Sequence, residues 1–422
     1  MKPLIVSLLS DEATDADRFG PKAANLAALC QAGLPTPGGF CLDAEAYRLQ
    51  LDENKLEVNP NGRITNEVRA ARLHAIGMRL GFLEQPIATP ILESLLEVWQ
   101  LLKQTTDTIV VRSSALVEDQ AGSNFAGQFE SFLDLKNQTD YQTAVRSCWA
   151  ALWSTRVLRY MATHDLNAAD TAMALLIQPL VKANVSGGGL SQNANGEMVI
   201  SATWGLGSAI AQGEIVPDRY VLSRDGAVLE TDTGRKNHQV DCVHGMQSVK
   251  TDLVNTPCLD STQIIELGKL LLKVEDIFGD PVEIEWALDS EGIKLLQARP
   301  LYVETAHVPD EIWLQHPRLN GHPAGVGWGT GRARVVTCEC QLSQVAPGDI
   351  MVTSMASPAH SHVLSRVSGV VTELGGSTSH FASLARERGI PMVLGVMNAT
   401  ADIPDGSTVA VDGVAGVVRW MR

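Results

Sequence analysis

His380 stands in the run Gly375-Gly376-Ser377-Thr378-Ser379-His380-Phe381-Ala382-Ser383-Leu384-Ala385-Arg386-Glu387-Arg388. An imidazole is nucleophilic and mostly neutral near pH 7, so it can carry a group covalently. The paired glycines allow a turn closed to residues with a Cβ, and such a turn aims successive N–H groups outward at an anion. From Phe381 to Arg388 the pattern is helical, which puts unpaired amides and the positive end of the helix dipole beside His380. These residue types at this spacing suit a phosphohistidine. A helix-capping or buried histidine is the competing reading of the same residues.

Other residues would serve phosphate chemistry at a distance in sequence. Lys22 follows Gly20-Pro21 and opens a helical stretch from Ala23 to Ala32, stopped by Gly33 and Pro35, a setting for a phosphate clamp or for a solvated lysine beside a turn. Arg112 ends the β-branched run from Thr108, where its guanidinium can fork onto phosphate oxygens or pair with Glu118 or Asp119. The acidic, Gly-containing loop that follows, up to Gly127 and Ser131, is small enough in its side chains to fold over a nucleotide. Gln178 closes a strand from Ala174 and can offer its amide to an adenine edge or simply sit in a turn. A further strand runs from Met198 to Thr203. Later, a helix over 262–278 leads to strands over 282–288 and 293–297 with Asp289 and Gly292 between them, an antiparallel hairpin. Alternation sets Glu283, Glu285 and Ala287 on one face, and Gln297 can share it. Oxygens of Glu285 and Gln297 suit Mg²⁺, with Arg299 neutralising remaining negative charge; an exposed acidic strand face is the alternative.

The elements that must hold these groups read as an α/β (α+β multidomain) chain. At 422 residues, 45% hydrophobic and 19% charged, it has material for two or three cores. Two more amphipathic helices, near 64–82 and 90–103, look like packing elements. A formal charge of −15 argues against a nucleic-acid or anionic-membrane surface, while local basic residues can still converge on ATP. The N-terminus reads as a first strand, no stretch reaches transmembrane length, and the expected location is cytoplasmic. Seven scattered cysteines lack zinc spacing and fit reduced thiols, with Cys338-Glu339-Cys340 as strand-end filler. Residues 301 to about 320 lack periodicity and read as a linker. Beyond it, short strands such as 349–353 and 368–373 form a compact β-rich domain carrying the His380 helix.

The run GGSTSHFASLARERGIPMV, continued by Asn398-Ala399-Thr400 and by Val411-Asp412-Gly413-Val414-Ala415-Gly416-Val417-Val418, resembles the phosphohistidine signature of the phosphoenolpyruvate-utilising enzymes, which include phosphoenolpyruvate synthase, pyruvate phosphate dikinase and rifampicin phosphotransferase. The first 300 residues are similar to the nucleotide-binding half of the same enzymes, with the motifs in family order. The resemblance implies an ATP-grasp-like domain over 1–302 with an N-terminal subdomain over about 1–180. A linker over 303–320 and a swivelling β/β/α phosphohistidine domain over 321–422 follow. It places Lys22 on the family's ATP-binding lysine, Arg112 on its phosphate-binding arginine, Gly127 and Ser131 on nucleotide contacts, and Gln178 near the base. Glu285 and Gln297 fall on metal and ATP positions, and Arg299 beside the phosphates. Pro21, Ser131 and Glu283 depart from the residues common there, and Pro21 removes one amide donor.

The activity implied is that of an ATP-dependent phosphotransferase of dikinase type. His380 attacks the β-phosphorus of ATP with Mg²⁺, AMP leaves, and water or phosphate removes the terminal phosphoryl from a pyrophosphohistidine. Neither a pyruvate-binding barrel nor an acceptor domain is recognisable in the chain, so the acceptor is expected on a partner subunit or as a small molecule in the interdomain cleft. An ATP-grasp ligase forming an acyl phosphate and a phosphohistidine sensor are the alternatives. His360 and His362 read as surface helix residues.

Overall fold

The computed structural model describes residues 3–58, 68–118, 125, 127–240, 245–301, 313 and 316–421. The chain forms two compact units, one of Met1–Val181 with Lys294–Arg299, the other of Lys182–Ile293 with Pro300–Arg422.

The first unit contains, in chain order, β1 (Ile5–Ser7), α1 (Ala16–Gln31), β2 (Phe40–Leu42), α2 (Ala44–Glu53), α3 (Val68–Glu84), α4 (Thr89–Leu102), β3 (Ile109–Ala115), β4 (Ser131–Leu135), α5 (Gln138–Ala151), α6 (Thr155–Thr163) and β5 (Met173–Pro179). Its strands make an antiparallel sheet in the order β1-β2-β5-β3-β4. Large aromatics fill the core: Tyr47 stacks on Phe82 at 5.0 Å, and the Trp153 indole N–H donates to the Tyr47 hydroxyl at 2.8 Å. That bond gives the Tyr47 and Trp153 polar ends a partner while their apolar bodies leave water. α1 is broken at Gly20 (φ 73°), so the helix that carries Lys22 starts at Pro21, where a missing N–H costs nothing. Asp15 caps the turn upstream by accepting from the Asp17 N–H, which lengthens this element beyond the stretch from Ala23 expected from periodicity.

The second unit contains β6 (Val185–Leu190), β7 (Met198–Trp204), α7 (Ser208–Ala211), β8 (Asp218–Leu222), β9 (Val228–Asp232), β10 (His238–Val240), β11 (Met246–Ser248), α8 (Ser261–Phe278) and β12 (Val282–Asp289). The next strand, β13 (Gly292–Pro300), passes into the first unit at Lys294 and leaves it at Pro300. Strands β12, β6, β7, β8 and β9 lie side by side in that order, each antiparallel to its neighbour. α8 begins on an Asp260 capping box with Gln263, ends on left-handed Gly279, and packs through Leu271 against the face of the sheet that bears Gly189.

The same unit continues through β14 (Arg318–Asn320), β15 (His322–Pro323), β16 (Trp328–Val336), β17 (Ile350–Thr353), β18 (Gly369–Thr372), α9 (His380–Glu387), β19 (Met392–Leu394), α10 (Ala399–Asp402), β20 (Thr408–Asp412) and β21 (Val417–Met421). The strands form an eight-stranded sheet, order β14-β21-β20-β16-β17-β18-β19-β15, parallel from β16 to β19. Ile350, Val352, Val371, Val393, Val409 and Val411 are buried in its core. Each buried branched side chain contributes about 1.5–3 kcal/mol, which fixes the sheet that carries α9. His380 follows β18 and opens the helix to β19, so it lies off the carboxyl end of a parallel strand, where βα units place ligands.

Most elements read from the sequence are present within a residue or two. The cysteine reading is corrected: Cys338 and Cys340 are joined as a disulfide, with Cα atoms 5.4 Å apart. Periodicity carries no information on such a pairing, which depends on how the segment after β16 curls into a short 3-10 turn. Asp119 and most of the linker over 303–320 lie outside the described residues.

Candidate active site

In the first unit a cation cluster forms where α1 meets the end of β3. A Cβ at Gly20 would come within 2.4 Å of the Ser114 carbonyl, so only glycine lets the α1 turn approach the strand this closely. The Ser114 hydroxyl then accepts from the Ala23 N–H at 3.1 Å. Lys22 is thereby aimed along the strand end: its ammonium donates to the Ser113 carbonyl at 2.9 Å and pairs with the buried carboxylate of Glu118 at 3.2 Å. Glu118, weighed from sequence as a partner for Arg112, is thus engaged by Lys22.

Arg112 donates to the Leu296 carbonyl at 2.8 Å and to the Gln297 side-chain oxygen at 3.2 Å, so two of the expected ATP-binding residues touch. Opposite it on β4 stands Ser131, and opposite Val110, two residues along β3, stands Gln178 on β5. Cross-strand partners and residues two apart share a face, so Gln178, Arg112 and Ser131 line one face of the sheet. Gln178 is buried and donates to the Gly38 carbonyl at 2.7 Å. Gly127, at φ 66°, makes the turn ahead of β4. Arg299 is buried two residues beyond Gln297, on the same face of β13, and Asn25 of α1 donates to the intervening Ala298 carbonyl at 3.1 Å.

The second unit holds Glu285 and His380. Glu285 lies opposite Gly188 on β6, and Glu283 opposite Leu190, so the two carboxylates share the face that α8 does not cover. A Cβ at Gly188 would lie 2.6 Å from the Thr378 Cβ, so the loop before His380 rests on bare backbone. The Gly375 N–H donates to the Ile215 carbonyl at 2.9 Å, which takes one amide out of the anion turn read from the paired glycines. Gly376 faces Pro217, whose ring a Cβ would meet at 2.5 Å. Ser379 caps α9 by accepting from the Ala382 N–H at 3.3 Å, which leaves His380 as the first helical residue. The hydroxyls of Ser377 and Thr378 are buried without a hydrogen-bond partner, so this loop retains donors for an incoming oxygen.

His360 is corrected from the surface reading. Its ring is buried, receives the Ser357 N–H on Nδ1 at 3.1 Å and meets Phe381 edge-on at 6.5 Å. Burial holds its pKa below the ordinary 6.5, favouring a neutral packing group beside the His380 helix. His362 is exposed.

Residues 16–315 match the model of the pyruvate phosphate dikinase AMP/ATP-binding domain, and residues 345–416 match that of the PEP-utilising enzyme mobile domain. The chain belongs to the PEP-utilising enzymes. It is 30% identical to the phosphoenolpyruvate synthase of Pyrococcus furiosus, covering 96% of this chain and 57% of that one. To the phosphoenolpyruvate synthase of Aeropyrum pernix it is 31% identical, over 94% of this chain and 56% of the other, and to that of Deinococcus radiodurans 30%, over 96% and 56%. The chain therefore spans a little over half the length of these relatives. Its fold is the α/β multidomain, ATP-grasp-like arrangement of the family, with Lys22, Arg112 and Gln297 in the matched ATP-binding region and His380 in the matched mobile region.

Sequence reasoning left two features of this PEP-utilising enzyme unread. Gly187-Gly188-Gly189 in β6 is a strand weakened three times over, a visible signal of close backbone approach: Gly187 makes room for the Trp286 ring and Gly188 for Thr378. Glu283, taken as part of an acidic face, is buried at 5% exposure and bonded to Ser383 and Arg386 of α9. Nothing local in the sequence links residues a hundred positions apart.

Proposed function

We propose that this chain is an ATP-dependent phosphotransferase of dikinase type in which His380 is the phosphoryl carrier. The observation that carries this reading is the seating of the His380 loop: Thr378 rests on Gly188, the register partner of Glu285, so the nucleophile-bearing loop lies over the strand face that presents the nucleotide-side carboxylate. Lys22, Arg112 and Arg299 hold the phosphates, Ser131 and Gly127 line the nucleotide loop, and Gln178 faces the base. The chemistry of the remaining donors fits Mg²⁺: a half-buried carboxylate on Glu285 and an amide oxygen on Gln297 are hard ligands that leave room for waters and phosphate oxygens. When bound, the ion would neutralise phosphate charge.

His380 attacks the β-phosphorus, the bond from that phosphorus to the α–β bridging oxygen breaks, and AMP departs with the electron pair. Positioning and charge neutralisation are the whole of the catalytic task in such a transfer. The hydroxyls of Ser377 and Thr378 donate to the transferred group. Water or phosphate then takes the terminal phosphoryl, and phospho-His380 serves an acceptor held by a separate subunit or bound as a small molecule by this chain. A division into 1–302, a linker over 303–320 and a swivelling domain over 321–422 would let the histidine visit both partners. A cytoplasmic location fits ATP as the donor.

The test is incubation with Mg²⁺ and ATP labelled separately at the β and γ phosphates. AMP formation with acid-labile β-label on His380, abolished in His380→Ala while nucleotide binding persists, is the expected result. ADP with no protein label would replace this reading with the ligase, and stable label without turnover in the presence of a partner would favour the sensor.

A further inference from the structure

Three side chains from two distant segments meet over β12. The Glu283 carboxylate oxygen Oε2 accepts from the Ser383 hydroxyl at 3.0 Å and from Arg386 Nη2 at 3.1 Å, and all three residues are at least nine-tenths buried. The other guanidinium nitrogen, Nη1, donates to the Ser377 carbonyl at 2.5 Å and to the Ala324 carbonyl at 3.0 Å. Ser377 lies three residues before His380, and Ser383 lies one helical turn after it. The histidine is therefore held from both sides by groups that converge on one carboxylate.

We propose that Glu283 is a positioning residue for His380: through Arg386 and Ser383 it fixes the orientation in which the loop and first turn of α9 present the imidazole. This rests on the reading of His380 as the phosphoryl carrier. A buried carboxylate and a buried guanidinium are poor investments in stability alone, because desolvation consumes most of their attraction. What they supply is geometry, since the planar fork of arginine bridges three acceptors in fixed directions that a lysine cannot reproduce. Glu285, the carboxylate read for the nucleotide, lies two residues along the same strand face, while Glu283 makes the tie to the helix. The alternation of β12 thus separates two carboxylates into two tasks.

The experiment uses the full chain and the variants Glu283→Gln, Arg386→Lys, Ser383→Ala and the Glu283→Gln/Arg386→Lys pair. The single-turnover rate of β-label transfer from Mg²⁺-ATP to His380 should fall about 10- to 100-fold in Glu283→Gln and in Arg386→Lys, and about 3-fold in Ser383→Ala, as expected for a misplaced nucleophile. The KM for ATP should hold, and the double variant should be no slower than the worse single one. Without nucleotide, amide exchange in the 375–387 segment should quicken about 10-fold in Glu283→Gln while the remainder keeps its protection. A wild-type rate in Glu283→Gln, a proportional rise in the KM for ATP, or unchanged exchange would each overturn the proposal. If Glu283→Gln does not fold, Ser383→Ala decides, because it removes one donor and leaves the ion pair. Absence of label in the wild type would defeat the carrier reading, and the exchange measurement would still judge the seating by Glu283.

Discussion

The two candidate clusters, one in each unit, are built on opposite principles. In the first unit the phosphate-grade cations are already tied to protein oxygens, Lys22 to Ser113 and Glu118, Arg112 to Leu296 and Gln297. In the second unit the loop before His380 is fitted by shape: Gly188 and Gly376 give up their side chains to Thr378 and Pro217, and two buried hydroxyls are left unpartnered. Cations held in place before the nucleotide arrives cost no reorganisation during transfer, which is the arrangement that stabilises developing charge best. On the proposed reading His380 must visit a donor and an acceptor, and its seat is made of fitted surfaces apart from the one buried ion pair at Glu283. On that reading charge is stationary and shape is mobile.

The sharpest way to break that contrast is to remove a stationary charge. Arg112→Ala should lower kcat/KM for ATP by about 10²–10³-fold, the cost of losing one preorganised donor. Arg112→Lys should recover little of it, because the fork that reaches both Leu296 and Gln297 is lost. Steady-state kinetics of AMP release would read both, and a lysine variant with near-normal activity would mean that Arg112 acts as a point charge rather than as a scaffold for Gln297.

On the side built by shape, Gly188→Ala should act without touching any charge. Its added methyl would stand 2.6 Å from Thr378, closer than Cβ atoms approach, so the loop must lift. A fall of about 10-fold in the rate of His380 labelling, with the KM for ATP unchanged, is the expected outcome for a displacement of a few tenths of an ångström to an ångström. Equal loss of ATP affinity would show that this face serves the nucleotide directly, and the contrast would lose one of its arms.

How much of this was legible in the sequence follows from the same contrast. The charged positions proposed for the site carry local signals: a lysine in a glycine turn before a helix, an arginine closing a β-branched strand, a histidine opening a helix after two glycines. Elements such as α8 and β12 could be placed because capping residues, periodicity and turn residues act within a few positions. The fitted surfaces were not legible, since Gly188 meets Thr378, and Glu283 meets Arg386, only after two sheets have formed and packed. His360 was misread for a related reason, because a histidine in a Pro-led polar turn looks exposed until Phe381 covers it. Alternation gave the face for Glu283 and no sign of Arg386 and Ser383 beside it. Period-2 patterns say which side a residue points to, and only packing says what waits there.

The smallest test concerns a contact that lies at the margin of the same seat. On β9, Asp232 accepts from His322 Nε2 of β15 at 2.8 Å, and this bond holds the Asp232 carboxyl below its ordinary pKa of 3.8. A carboxyl depressed on folding stabilises the folded form above its unfolded value and ceases to do so as pH falls through the lowered one. Asp232→Asn should therefore lower the melting temperature by only about 1–2 °C at pH 5–6, because half of the carboxylate is exposed and such pairs are screened by solvent. The difference should start to shrink as the pH falls past 3.8, where the unfolded carboxylate takes up its proton, and should close once the pH has passed the lowered folded value. A gap that persists unchanged into acid would mean that the aspartate acts there through packing, and the second unit's seat would then owe even less to charge than the comparison with the first unit requires.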